Sequence, residues 1–330
     1  MYFVSNTLLR HALQIFRDND FADPQRGDWF FETFGPGNIV QTADRPYERL
    51  SDYEQLLSVL RREDIQKYDQ IHKGTPFFFI SWAAHDLRNF EKALFYLDAA
   101  ISEDVRKDPD NWLGAPGGRL LLLEAQDHVA ERYVLSLRES LEKQIERWNQ
   151  APGPAKMDVS DVTNHFVRAL VKNKRNRTIV TAFYSFLAEF QDRAVELNLR
   201  STEGGSIEPF ISHLFKGGLI FESVLKHLYP KKDNGRPYGT LGDIFKTTAF
   251  KTDFVSNVRQ SSNTLQSILS TANGTTLEAA LSTTAMIRNA TGHNLVWDDV
   301  FIAANSYQRL FEQEVNALFH IIAKRFQGKG

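Results

Sequence analysis

The stretch Ile287-Arg288-Asn289-Ala290-Thr291-Gly292-His293-Asn294, followed by Leu295-Val296-Trp297-Asp298-Asp299, decides how this chain is read. It sets an arginine, a histidine and two carboxamides between positions 288 and 294, with apolar helical sequence on both sides. Arginine presents a permanently charged planar fork suited to phosphate. Histidine gives or takes a proton near neutral pH. That pair is sufficient equipment for breaking a phosphodiester bond without a metal. Among the chain's histidines, only His293 follows an arginine with four to six residues between them. A plainer reading stays open, in which Arg288 ends a helix and His293 caps or packs at the turn marked by Gly292.

Working outward, residues 207–228 have the spacing of a long amphipathic helix, with Phe210, Leu214, Phe215, Leu219, Ile220, Leu225 and Leu228 as its stripe. Gly217-Gly218 interrupts it. Two adjacent glycines weaken a helix, so their presence points to the close approach of another helix. Residues 239–245 read as a turn and short helix, and 253–276, rich in Ser, Thr and Asn, as a connector or weak helix. A helix over 277–289 leads into the Arg288 segment, and a last helix spans about 297–325. That last helix carries Phe301, Ile302, Tyr307, Leu310, Phe311, Val315, Leu318, Phe319 and Ile322. This is more apolar surface than a solvent-facing helix needs, so part of it is expected to face a partner subunit.

The arrangement resembles a HEPN domain, a helical bundle whose catalytic members carry Arg, a polar residue (often Asn), three to five more residues and then His. The resemblance covers about residues 206–326 and is specific at Arg288, Asn289 and His293. It implies a homodimer in which two copies of the Arg–His segment meet across a symmetry axis. It implies metal-independent RNA cleavage, with a ribose 2′-hydroxyl attacking the adjacent phosphorus, and roles in defence, toxicity or stress response. His293 would transfer protons or hydrogen-bond the phosphate, and Arg288 would stabilise charge on the non-bridging oxygens. Asn289 would orient one of these groups or touch the phosphate, and Asn294 would face the RNA. No cofactor is expected. Asp298-Asp299 near His293 lacks the ligand spacing of a metal site, so no metal is assigned. Two other classes stay open: a bundle that binds RNA or a nucleotide without cutting, and an interaction scaffold.

Composition sets the frame. A chain of 330 residues suggests two domains, and 42% hydrophobic with 24% charged residues is ordinary for a globular protein. Zero cysteines rule out disulfides, thiol catalysis and thiolate metal sites. No apolar run approaches a membrane span, and no basic region precedes the apolar N-terminal residues, so no membrane partner and a cytoplasmic location are expected. The net charge of −2 does not advertise nucleic acid, so an RNA substrate needs a local basic surface. Lys172, Lys174, Arg175 and Arg177 form the densest candidate, with Lys231 and Lys232 nearer the Arg288 segment in sequence.

The N-terminal part reads as helical too. Ser51-Asp52-Tyr53-Glu54 looks like a capped helix start. Residues 77–85 and 90–101 form a helical hairpin, in which Arg88-Asn89-Phe90-Glu91-Lys92-Ala93-Leu94, then Leu97, Ala100 and Ile101, resemble the inner part of a tetratricopeptide repeat. Small Ala93 and Ala100 let the helices approach, while Phe90 and Leu97 fill the groove. Residues 114–118 read as a glycine-rich loop without the Gly-Lys-Ser/Thr ending of a phosphate-binding loop, and 120–148 as one long helix. The best linker is 201–206. The expected organisation is therefore all-α, with a tetratricopeptide-like region over 1–205 that could take a protein or small-molecule regulator, and a HEPN-like bundle over 206–330.

Overall fold

The structure, a computed structural model, describes residues 6–21, 44–124, 131–199, 206–262, 264–291 and 304–326. Every regular element among them is helical and none is a strand, as the sequence periodicity requires. None of these helices is long and apolar enough to cross a membrane. The chain divides into two compact units, Met1–Ser136 and Leu137–Gly330.

In the first unit the helices are α1 (Asn6–Asp18), α2 (Pro46–Glu63), α3 (Ile65–Gln70), α4 (Gly74–Asp86), α5 (Phe90–Lys107), α6 (Pro116–Leu121) and the first residues of α7 (Glu131–Gln150). Helix α2 starts before the Ser51 cap expected from sequence. Pro46, whose fixed φ suits a first turn, opens it, and Ser51 falls inside. The α4–α5 hairpin forms as expected. Asn89 caps α5 by accepting from the Lys92 N–H at 3.1 Å. Ala93 and Ala100 are buried beside Phe90 and Leu97, and the Ser81 hydroxyl of α4 donates to the Ala93 carbonyl at 2.8 Å. Such a bond requires the close backbone approach that the alanines permit.

Two expectations in this unit fail. The glycine-rich residues 114–118 are not a loop throughout, because Gly117 and Gly118 belong to α6. A Cβ on Gly118 would sit 2.5 Å from the Trp112 carbonyl oxygen, so this glycine serves packing and not a ligand. Nor does one helix run over 120–148. Helix α6 stops at Leu121, Leu123 takes φ +54°, and α7 starts at Glu131.

The second unit continues α7. A helical turn at Val159–Asp161, boxed by the Asp158 and Asp161 carboxylates, then runs through a π-helical turn at Val162–Val167 into Arg168–Val171. After it come α8 (Arg177–Leu199), α9 (Glu208–Leu228), α10 (Leu241–Phe245), α11 (Thr248–Asp253), α12 (Leu265–Ala272), α13 (Leu277–Thr291) and α14 (Ala304–Arg325). The division at 136/137 falls well before the boundary expected at 205/206. Aromatic packing is the reason. Phe186 of α8 stacks on His213 of α9 at 4.5 Å, and Phe190 stacks flat on Phe311 of α14 at 3.8 Å. The residues before the expected linker thus share one core with those after it.

The apolar face of α14 is consumed inside this unit. Tyr307, Leu310, Phe311, Val315, Leu318, Phe319 and Ile322 are all buried within the chain, so this apolar stripe is covered by the chain's own residues and is not left for a partner subunit. Phe301 and Ile302 lie outside the described residues. The expected stripe of α9 also needs one change, since Leu219 is exposed.

Candidate functional site

Helix α13 packs against both α9 and α14, and Arg288 sits on its last turn. The close approach foreseen at the paired glycines is found on both of them. A Cβ on Gly217 would lie 2.6 Å from Glu314 Oε2 of α14 and 2.6 Å from Phe186 Cζ of α8. A Cβ on Gly218 would lie 2.7 Å from Arg288 Cβ and 3.0 Å from Arg288 Cα. Glycine at 218 therefore sets the depth at which Arg288 rests on α9.

One helical turn beyond Gly218, Glu222 takes hold of the arginine. Arg288 Nε donates to Glu222 Oε2 at 2.5 Å, and Lys226 Nζ contacts Glu222 Oε1 at 2.6 Å. The Glu222 side chain is only 6% exposed, against 27% for Arg288 and 46% for Lys226, so a buried carboxylate anchors two partly exposed cations. A charge this deep is tolerated only when paired. Nε carries the bond to Glu222, and Nη1 makes a long contact of 3.5 Å with Asn289 Oδ1.

Asn289 has a structural partner of its own. Its Nδ2 donates to the Gln260 carbonyl at 2.7 Å, while the Arg259 N–H donates to Ser282 Oγ at 3.0 Å. The two bonds strap the segment before α12 along α13. The Thr291 hydroxyl closes the helix end on the Ile287 carbonyl at 2.7 Å. His293 and Asn294, with Asp298 and Asp299, lie outside the described residues. The structure accordingly places Arg288 and Asn289 and leaves the histidine to the sequence.

Two buried titratable groups lie deeper in the bundle. Glu314 is fully buried, and among the described residues neither of its oxygens has a hydrogen bond of good geometry. Burial holds its pKa well above the ordinary carboxylate value, and the nearby Gly218 N–H acts in the opposite direction. His213 is bonded at both ring nitrogens, with Nε2 2.8 Å from the Phe186 carbonyl and Nδ1 2.6 Å from the Tyr307 hydroxyl. A carbonyl can only accept, so Nε2 carries the proton and Nδ1 accepts from Tyr307. Burial lowers the His213 pKa to about 4, which keeps the ring neutral.

The basic residues separated in sequence are brought to one end of α9. Lys172, Lys174 and Arg175 are exposed, and Arg177 is half-buried, with Nε donating to the Val171 carbonyl at 3.3 Å. Asn176 Nδ2 donates to His227 Nδ1 at 2.9 Å, which ties this run to the last turn of α9 just before Lys231 and Lys232. Lys231 is exposed, whereas Lys232 contacts Asp243 at 2.9 Å.

Glu222, Lys226 and Gln260 are the site neighbours that the sequence reading missed. Glu222 carried a usable signal: it falls between Phe221 and Leu225 on the buried face of α9, where a carboxylate demands a cation opposite. Gln260 contributes only its backbone carbonyl, so its side chain gave no signal. Comparison with family models, with curated proteins and with solved structures found no match to this chain.

Proposed function

We propose that the second unit is a metal-independent endoribonuclease, with Arg288 and His293 as its reacting groups and Asn289 as a positioning residue. The observation that carries this reading is the clamp on Arg288. A buried carboxylate holds the Arg288 Nε and a glycine contact seats its Cα and Cβ at a helix end, five residues before the only histidine at this spacing. Fixed donors aimed at developing charge are worth more than mobile ones, because no reorganisation is needed during the reaction. In the proposed step a ribose 2′-hydroxyl loses its proton and attacks phosphorus, the P–O5′ bond breaks, and the leaving oxygen takes a proton. The products are a 2′,3′-cyclic phosphate and a 5′-hydroxyl. Arg288 balances the charge on the non-bridging oxygens, and His293 moves the proton. One imidazole cannot easily serve both faces of the phosphorus, which favours a homodimer that shares two copies of the segment. Lys172, Lys174, Arg175, Arg177, Lys231 and Lys232 supply backbone contacts to RNA.

The test is cleavage of end-labelled single-stranded RNA in excess EDTA, followed by analysis of the product ends. Cyclic phosphate and 5′-hydroxyl ends are expected. Cleavage that needs added magnesium or leaves 5′-phosphates contradicts the proposal. A second reading is favoured by the same ion pair: Arg288 as a joint between α9 and α13, with no chemistry. In that case Arg288→Ala lowers stability and there is no cleavage to lose.

A further inference from the structure

Glu222 is shared between two cations. Its oxygens take Arg288 at 2.5 Å and Lys226 at 2.6 Å, and both cations are partly exposed. Among the described residues neither cation has a second carboxylate, so the cluster keeps one positive charge in surplus. Lys226 stands one turn beyond Glu222, toward the C-terminal end of α9.

That end of α9 meets the residues that lead into α8. The two helices run antiparallel: Phe186 meets Gly217, Glu189 meets Lys216, and Asn176 meets His227. The same register brings the turn over 172–176 level with the residues that follow α9, Lys231 among them. Charge is concentrated here. Between Val162 and Ala188 the chain has five lysines and arginines and no carboxylate, against a net charge of −2 overall. Lys172, Lys174, Arg175, Lys231 and Arg236 are exposed, and none makes an ion pair with another described residue.

The surface is also plain in what it exposes. No large apolar side chain is exposed over 162–177 or 226–236, so it lacks the apolar anchors of a membrane-binding face. No aromatic ring is exposed there for a base to stack on. Spaced positive charge without either feature fits the repeated charges of a phosphodiester backbone.

Resting on the ribonuclease reading, we infer that the RNA strand runs from Arg288 along the C-terminal end of α9 to Lys174 and Arg175, with Lys226 binding the phosphate beside the reacting one. By the helix rise, His227 is about 7.5 Å along α9 from Glu222, which puts this surface within a few nucleotides of the cut. Its contacts go to phosphates, so it grips without base preference. It sets affinity, and the chemistry stays at Arg288 and His293.

The probe is a fluorescent single strand of about twelve nucleotides, within the length such surfaces cover, built from 2′-O-methyl riboses that cannot be cut. Its binding to the full chain is read by anisotropy at several salt concentrations, beside the thermal melt of each protein. Adenylate and uridylate strands should bind alike, and affinity should fall as salt rises. Lys174→Glu combined with Arg175→Glu should weaken binding about tenfold or more and reduce the log–log salt slope by about 1 or more. Lys226→Gln should weaken it too, and Lys226→Arg should retain it. Lys143→Glu, at an exposed lysine of α7, should change nothing. On unmodified RNA the double variant should raise KM and leave kcat near wild type. The inference is overturned if the strand does not bind, or if the double variant or Lys226→Gln binds it like wild type. It is equally overturned if polyglutamate or phosphatidylserine vesicles bind as tightly at the same salt. If the strand binds as described but unmodified RNA is not cut, the phosphate-binding surface stands and the ribonuclease reading falls.

Discussion

Gly218 and Arg288 touch without an intervening side chain: a Cβ on the glycine would lie 2.7 Å from the arginine Cβ. Alanine at 218 gains about 1 kcal/mol of helix propensity but must push α9 and α13 apart. Overpacking of this kind costs about 1–3 kcal/mol, so Gly218→Ala should be net destabilising in urea unfolding. A stabilised variant would show that the two helices do not approach this closely.

Glu222→Gln should loosen the arginine more than the fold. The change removes the charge that balances Arg288 and Lys226, and the partial exposure of both cations limits the expected loss to about 1–2 kcal/mol. If Arg288 acts on phosphate, cleavage should fall about tenfold or more at unchanged helix content, because the guanidinium is no longer fixed. An unaltered rate in a destabilised protein would assign the pair to structure alone.

Glu314 should give the second unit a pH dependence opposite to that of a salt-bridged carboxylate. Its folded pKa lies well above the unfolded value of 4.5, so its stabilising effect is complete below that pH and declines as pH rises toward the folded pKa. Glu314→Gln removes the titration. The stability of the Gln variant relative to wild type should therefore increase above about pH 4.5, by up to about 1.4 kcal/mol per pH unit. Urea unfolding of both proteins across that range checks it, and parallel pH profiles would contradict it.

His213 should act in the acid range. Its folded pKa of about 4 is below the unfolded value of 6.5, so stability present above 6.5 is lost as pH falls toward 4. Tyr307→Phe removes the donor to Nδ1 and leaves a buried acceptor unpaired, at a cost of about 1–3 kcal/mol near neutral pH. The loss should shrink below about pH 6, where the unfolded ring gains its proton in both proteins, only if protonation of His213 is easier in the variant fold. Melting curves at several pH values measure both effects.

How much of this was legible depended on local against long-range signals. Helical periodicity identified α9, α13 and the α4–α5 hairpin, and the paired glycines foretold a close helix contact because their cost is local and their reason is tertiary. The unit boundary was not legible. Phe190 and Phe311 are far apart in sequence, and their stacking, which joins α8 to α14, leaves no trace in the composition of the 201–206 linker. The fate of the apolar face of α14 was hidden for the same reason: an amphipathic pattern states that a face is covered, not by what. At the site, Arg288 and Asn289 could be picked out from their spacing to His293, whereas Glu222 required knowing which helix faced it. Arg88 was legible as part of a repeat-like turn, but its left-handed backbone was not.

The most direct test of the ribonuclease proposal is the single-turnover rate of RNA cleavage by wild type, Arg288→Ala and His293→Ala, measured in EDTA beside the thermal melt of each protein. Loss of a charge-stabilising or proton-transferring group should slow cleavage by about a hundredfold or more. His293→Ala should melt close to wild type, and Arg288→Ala should melt somewhat lower because Glu222 loses its partner. Cleavage by wild type that both variants retain, or no cleavage of any RNA by the intact wild-type protein, would contradict the assignment of Arg288 and His293 as reacting groups.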